Sequence, residues 1–278
     1  MREIQSADLS IKAILAGERD PHELAAFRDV RVKASEEQIA QYLEGHWQED
    51  LLFGLQQEKE GFDFCQKQMA ACDEQLKQYL QQQEDRSQGA PLSEEKRKSR
   101  LKKKKGNMPQ FELRAQLFRM NGTDLTQIDG IDVLTAATVL SEAGSDMSKW
   151  ADEAHFVSWL RLCPGNRISG ERIIGKRRLP TNNRINVALK MAASSLRTSN
   201  TYLGAQFRRL RTRLGAPIAI KAMAAKLARL VYRMLRYGMK YVDRGVEFYE
   251  AQHRRLLIKH LRDNAAKLGF RLVEALKT

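Results

Sequence analysis

Residues 49–83 read EDLLFGLQQEKEGFDFCQKQMAACDEQLKQYLQQQ, a stretch without proline in which only Gly54 and Gly61 interrupt good helix formers. Leu55, Phe62, Met69 and Leu76 recur every seven residues. Leu51, Cys65, Cys72 and Tyr79 hold the second seam position, with Glu58 as its polar gap. Two apolar positions per heptad keep one stripe on one side of an α-helix. The spacing therefore predicts a long helix whose seam packs on another helix. Pairing within the chain and pairing between chains both fit. No second heptad segment of similar length lies nearby, which favours a homo-oligomer joined through this coiled coil.

Working outward, helical spacing continues on both sides, and alternating runs of Val, Ile, Thr and aromatics are almost absent. On the N-terminal side, residues 8–16 read as a short helix stopped by Gly17. Asp20 is placed to cap the next helix, with Pro21 at its first position and Glu23 in its first turn. Ser35 and Gln38 form a capping-box pattern ahead of Ile39, Tyr42 and Leu43, and Gly45 closes that helix. The expected class is all-α: a long coiled-coil helix joined to a basic helical C-terminal domain with a helix-hairpin-helix-like motif. The expected division is 1–48 as a segment of short helices, 49–83 as the coiled coil, 84–109 as a basic linker and 110–278 as the C-terminal domain.

The chain has 278 residues, 42% hydrophobic and 29% charged, enough to build a core and too apolar for wholesale disorder. Its net charge of +14 is uneven. Residues 1–90 hold 10 Lys/Arg against 18 Asp/Glu; residues 91–278 hold 38 against 16. A net +22 in one part exceeds what solubility requires and implies a polyanionic partner, with nucleic acid ahead of an acidic membrane surface. Cys65, Cys72 and Cys163 are too few and scattered for a disulfide framework or a metal knuckle. The most apolar stretch, 216–228, is broken by Lys221 and Lys226, and the first ten residues lack a signal core. A cytoplasmic chain with no membrane partner is expected.

The linker, EDRSQGAPLSEEKRKSRLKKKKGNMP, ends in a basic run through Lys102–Lys105 suited to gripping phosphates. Beyond it, residues 128–140 (IDGIDVLTAATVL) resemble a helix-hairpin-helix. A tight turn at Gly130 would lead into a helix whose first amides suit a phosphate oxygen. Ala136 is small where two helices approach, and Val139 and Leu140 enter the core. Asp132 stands where the second glycine usually does; its carboxylate repels phosphate but can cap the helix. A purely structural hairpin fits equally.

Residues 156–162 read as an apolar helix broken at Cys163-Pro164-Gly165. A polar loop follows, centred on Ser169-Gly170, with Arg167, Arg172, Lys176, Arg177 and Arg178 crowded around it. A helix carrying Arg184, Ile185, Leu189, Ala192 and Ala193 begins near Asn182. The residues alone admit an ordinary serine in a basic loop. They also admit a nucleophile toward a phosphodiester, with guanidinium groups stabilising the developing charge; no histidine adjoins it in sequence as a base. Farther on, the helix over 219–241 shows an apolar stripe (Met223, Leu227, Leu230, Met234, Tyr237, Tyr241) and a basic stripe (Lys226, Arg229, Arg233, Arg236, Lys240). Arg208, Arg209, Arg211 and Arg213 precede it. The basic stripe reads as a solvated face or as a track for a nucleic-acid backbone. A tail helix spans 247–268 with Gly269 as its stop, and its His253 and His260 read as surface histidines.

Leu162-Cys163-Pro164-Gly165, Ser169-Gly170, Gly175-Lys176-Arg177 and Asn183-Arg184 occur in an order that resembles the C-terminal domain of the DEDD-type insertion-sequence transposases related to the Piv invertase. Some members of that group are bridge-RNA-guided recombinases. Residues 128–144 (IDGIDVLTAATVLSEAG) resemble its I-P-G-I-G-x-x-T-A-A segment, and residues 216–238 (APIAIKAMAAKLARLVYRMLRYG) its A-x-x-A-x-A-x-K-L-x-R helix. Residues 14–29 and the heptad helix are similar to the region upstream in longer members. The sequence departs from the pattern at Glu171, Arg178 and Ile185-Asn186, where the family has glycine, glycine and Leu-Arg.

The resemblance implies a DNA transposase or recombinase subunit in which Ser169 attacks DNA. Arg167, Arg172, Lys176, Arg177, Arg178, Arg184, Lys226, Arg229 and Arg233 would serve as nucleic-acid contacts. DNA is the implied partner, with a guide RNA as a further one. The family's RuvC-like domain and its four metal-binding carboxylates find no counterpart in this sequence. No cofactor or metal is therefore expected in the chain, a divalent metal belongs only to that other domain, and the subunit is expected to be inactive without it. The competing expectation is a non-catalytic, nucleic-acid-binding and dimerising remnant.

Overall fold

The computed structural model describes residues 2–29, 32–45, 47–93, 108–170, 172–176, 183–238, 240, 243–271 and 273, without the side chains of 2–6, 166–168, 173 and 176. The chain forms two compact units, Met1–Gln82 with Arg97–Leu113, and Gln83–Lys96 with Arg114–Thr278. The class is all-α, with one two-stranded hairpin as the exception among the described residues.

In the first unit, α1 (Arg2–Leu15), α2 (Pro21–Ala26) and α3 (Glu36–Leu43) precede the long α4 (Glu49–Gln82). Local chemistry sets these boundaries. Asp20 accepts from the amide of His22 with Pro21 at the start of α2. Ser35 and Gln38 close a reciprocal capping box on α3. Leu24 and Ala25 of α2 and Ala40 of α3 are buried as these helices pack together, and α1 lies against α2 and α4. Lys59 of α4 is buried and pairs with Asp8 of α1 at 3.1 Å and with Asp63 one turn on, so its charge is compensated twice. Gly54 and Gly61 do not interrupt α4. Its predicted seam is open: Phe62 is 42% exposed, Met69 44% and Leu76 40%, and Cys65 and Cys72 are also exposed.

The second unit contains α5 (Leu113–Asn121), α6 (Val133–Ala143), α7 (Glu153–Trp159), strands β1 (Asn166–Ser169) and β2 (Arg172–Lys176), α8 (Arg184–Ser195), α9 (Tyr202–Leu214), α10 (Ala216–Tyr237) and α11 (Gly245–Lys267). Helix α10 is the hub, packing against α7, α8 and α9. Its alanines 219, 224, 225 and 228 are buried beside Met223, Leu227, Val231 and Tyr232, and the small side chains let neighbours approach closely. Each large aliphatic side chain so buried contributes about 1.5–3 kcal/mol. Tyr232 donates to the carbonyl of Trp150 at 3.0 Å, and burial pushes its phenol above the usual range. The helix stops at Tyr237 because Gly238 takes a left-handed conformation. The predicted apolar stripe therefore ends early: Tyr237 is 62% exposed, and Tyr241 lies outside the described residues.

The start of the predicted linker is tied into this unit. The Arg86 amide donates to the Arg119 carbonyl at 2.8 Å, and Arg119 donates to the carbonyl of Gln83 at 2.9 Å. The carbonyl of Ser93 accepts from Arg114 at 2.7 Å. Lys102–Lys105 lie outside the described residues.

Candidate functional site

The turn before α6 is built by capping and close approach. Asp124 caps the single 3₁₀ turn Leu125–Gln127, and Ile128 is fully buried behind it. Gly130 has φ +91° and sits against α8, where an added Cβ would meet the Ala192 carbonyl oxygen at 2.7 Å. Asp132 caps α6 by accepting from the Thr135 amide at 2.8 Å. Its carboxylate thus occupies the helix end that a phosphate would use in the hairpin reading. Ala136, Val139 and Leu140 are buried.

From this base the chain runs through α7 into the Ser169 segment. The loop expected there is an antiparallel hairpin, β1 on β2, with Ser169 directly opposite Arg172. Gly170, at φ +51°, supplies the positive φ that the first position of a two-residue hairpin turn requires. Ser169 and Arg172 are both exposed at this tip. Cross-strand partners carry their Cβ atoms on one face about 5 Å apart. An irregularity between Arg167 and Ile168 shifts the register, so Arg167 opposes Gly175 and Lys176 opposes Asn166. Three residue steps along the strand separate Asn166 from Ser169, roughly 10 Å at about 3.4 Å per step. The backbone therefore brings Arg172 beside Ser169 and sets Lys176 toward the far end. Arg177 and Arg178, and the side chains of Arg167 and Lys176, lie outside the described residues.

One buried bond closes the base of this hairpin. Asn186 of α8 is fully buried and donates from Nδ2 to the carbonyl of Leu160, at the end of α7, at 2.6 Å. It ties the element that enters the hairpin to the one that leaves it. Asn186→Ala removes the donor and strands a buried carbonyl, so urea unfolding should show a loss of about 1–3 kcal/mol. A loss below about 0.5 kcal/mol would mean that the bond does not hold the two helices. Arg184, at the start of α8, is exposed and reaches Glu142 of α6 at 3.4 Å.

Lys226, Arg229 and Arg233 line one groove of about 290 Å³ between α9 and α10, with Gln206, Leu210, Ala222, Met223 and Leu230. The three cations differ in availability. Lys226 is half-buried, donates to Gln206 Oε1 and lies 4.9 Å from the centroid of the Tyr202 ring. Burial, and then the neighbouring charge of Arg233, lower its pKa. Arg233 forms a two-point ion pair with Glu153 of α7, one contact at 2.8 Å, and Arg229 reaches the same carboxylate at 3.9 Å. Periodicity does not reveal that partner, which lies 80 residues away. Among the described residues, no group of three or more His, Cys, Asp or Glu is arranged to hold a metal ion. No helix among them is long and apolar enough to cross a membrane.

The class these features define is a helical domain with a cationic groove and a hydroxyl-tipped hairpin held on a buried frame. Residues 122–208 match the family model of the transposase IS116/IS110/IS902 family. The matched span runs from just before the Asp124 turn through the Ser169 hairpin into α9. It supports a function related to insertion-sequence transposases, with DNA as the implied partner. No curated protein and no solved structure matches the chain.

Proposed function

We propose that the chain is a subunit of a DNA recombinase in which Ser169 is the nucleophile. One observation carries the proposal: the transposase-family match spans a hairpin whose exposed tip pairs Ser169 with Arg172. In the proposed step Ser169 Oγ attacks a phosphodiester phosphorus. The phosphorus–oxygen bond to one sugar breaks, a phosphoserine link forms, and the proton released from the serine hydroxyl is balanced by one taken up on the freed sugar oxygen. The Arg172 guanidinium, one cross-strand position away, stabilises charge on the phosphoryl oxygens. Arg184, Arg229 and Arg233, exposed on neighbouring helices, hold flanking backbone. The relation to the Piv invertase, and with it guidance by an RNA, belongs to this proposal, as does a RuvC-like domain supplied from elsewhere.

The test is capture of a covalent complex on denaturing gels, using labelled element-end DNA with the chain alone and with a RuvC-like domain added in trans. Wild type should give an adduct in the complemented reaction. Ser169→Ala should give none while retarding DNA in a native gel as wild type does. An adduct of equal yield in Ser169→Ala, or none from wild type under any condition, sinks the serine assignment and leaves the binding remnant.

We also propose that the open α4 seam is covered by a second copy of the chain, because its heptad spacing matches the requirement of a two-stranded coiled coil. Sedimentation of the full chain should give a dimer, and Phe62→Asp with Met69→Asp should give a monomer of unchanged helicity. A wild-type monomer at high concentration excludes this.

A further inference from the structure

Gln206 and Leu210 of α9 face a second groove on their other side, between α9 and α11, of about 510 Å³. Its lining includes Arg209, Thr212 and Arg213 from α9 and Tyr249 and His253 from α11. The two arginines stand one helical turn apart and are both exposed. Like charges at that spacing repel, and no carboxylate lines the groove among the described residues. The arginines of the α9–α10 groove differ in that Glu153 of α7, outside that groove's lining, engages both. Anionic density is what the α9–α11 groove lacks.

The opposite wall is aromatic. The Tyr249 and His253 rings lie 6.4 Å apart, also one turn apart, and Tyr249 is braced edge-on by Tyr202 at 5.1 Å. A ring braced in this way is a flat surface that costs little further ordering on binding. Burial pushes the Tyr249 phenol above its usual range, so no negative charge opposes an anion there. The groove is of the size that takes a small molecule or a single nucleotide.

We propose that this groove binds one unstacked nucleotide of a single-stranded nucleic acid, its base against Tyr249 and His253 and its flanking phosphates on Arg209 and Arg213. The inference rests on reading this unit as one that handles nucleic acid. A duplex cannot fill the site, because its base faces are already covered by their neighbours in the stack. A single strand presents both a free base face and phosphates a few ångströms away, the pairing that stacking platforms with cationic rims recognise. Arg209, Arg213, Tyr249 and His253 all lie beyond the family match, which ends at residue 208.

The experiment is fluorescence anisotropy of the full chain with labelled oligothymidine, oligouridine, a DNA duplex and an abasic strand of equal length, the last of which keeps the phosphates and removes the bases. Wild type should bind the better base-carrying strand about tenfold more tightly than the abasic strand. The tighter of oligothymidine and oligouridine identifies DNA or RNA as the source. Tyr249→Ala should erase the preference for bases and leave abasic affinity unchanged, whereas Tyr249→Phe should keep both. Arg209→Gln with Arg213→Gln should weaken all strands and flatten the salt dependence by about 1.4 in log–log slope. Equal affinity for base-carrying and abasic strands in wild type overturns the proposal, as does an equal loss on all strands in Tyr249→Ala. Steeply salt-dependent binding without any contribution from bases would remove this pocket alone. Absence of binding to every strand and to duplex would remove the nucleic-acid reading along with it.

Discussion

Asp124→Ala should destabilise the second unit by about 3–5 kcal/mol, the range for removing one partner of a buried ion pair, and lower its melting temperature by roughly 10 °C. Asp124 and Arg114 are both nearly buried, at 5% and 11% side-chain exposure, and pair directly. The carboxylate also accepts from the Thr126 amide at 3.0 Å, the Thr126 hydroxyl at 2.6 Å, Gln127 at 3.1 Å and the Ser93 hydroxyl at 2.9 Å. Arg114 in turn donates to Thr126 and to the Ser93 carbonyl. Truncating Asp124 strands a guanidinium and several donors at once. Replacing both charges, as Arg114→Met with Asp124→Leu, should recover only the part of the loss due to the stranded guanidinium, since Thr126, Gln127 and Ser93 still lose their partners. A single-variant loss under about 1 kcal/mol would show that this network does not anchor the turn ahead of α6.

The same network has a signature in acid. Burial raises the Asp124 pKa, but the hydrogen bonds from Arg114, Thr126, Gln127 and Ser93 outweigh it and leave the carboxyl below its ordinary range. A group whose folded pKa is depressed contributes stability that is complete above the unfolded value of about 3.9 and fades as pH falls through the folded value. The gap between wild type and Asp124→Ala should therefore stay constant from neutral pH to about pH 5 and narrow as pH falls below about 4. A gap that widened in acid would contradict the sign.

Gly130→Ala should cost about 3 kcal/mol through two separable effects. An L-residue at φ +91° carries roughly 1–2 kcal/mol of strain. The new Cβ would also press on the Ala192 carbonyl at 2.7 Å and on Leu196 at 3.2 Å, and overpacking of that kind costs about 1–3 kcal/mol. Gly238→Ala supplies the comparison: its φ is +62°, but nothing lies within 4 Å of the added carbon. It should lose about 1 kcal/mol, the strain alone. Equal losses in the two variants, measured by urea unfolding, would mean that α8 gives way freely at Gly130. The difference matters to the site because α8 receives the chain as it leaves the Ser169 hairpin.

Much of the helix layout is legible in the sequence because its causes are local. Asp20 with Pro21, Ser35 with Gln38 and Asp132 with Thr135 each set a helix start across two or three residues, within reach of any reading of the chain. The uninterrupted run in α4 likewise needs no partner to be seen. The hairpin at 166–176 is not legible in this way. Its strands are four and five residues long, an irregular register breaks their alternation, and cations occupy positions where apolar residues would mark a strand. Candidate site residues divide along the same line. Lys226, Arg229 and Arg233 share a helix face by spacing alone. That Tyr202 and Gln206 engage the lysine and Glu153 the arginines follows only from how α7, α9 and α10 meet.

By itself, then, the sequence determined the helical class, the capped helix starts, the heptad stripe and the concentration of positive charge after residue 90, because each depends on neighbours within a few turns. The tertiary structure alone decided which charges remain open. It set Ser169 opposite Arg172, bound the hairpin's base through Asn186, buried the Arg114–Asp124 pair, and brought Arg209 and Arg213 against Tyr249 and His253. Those outcomes turn on desolvation and on contacts between residues tens of positions apart, and such contacts leave no trace in local spacing.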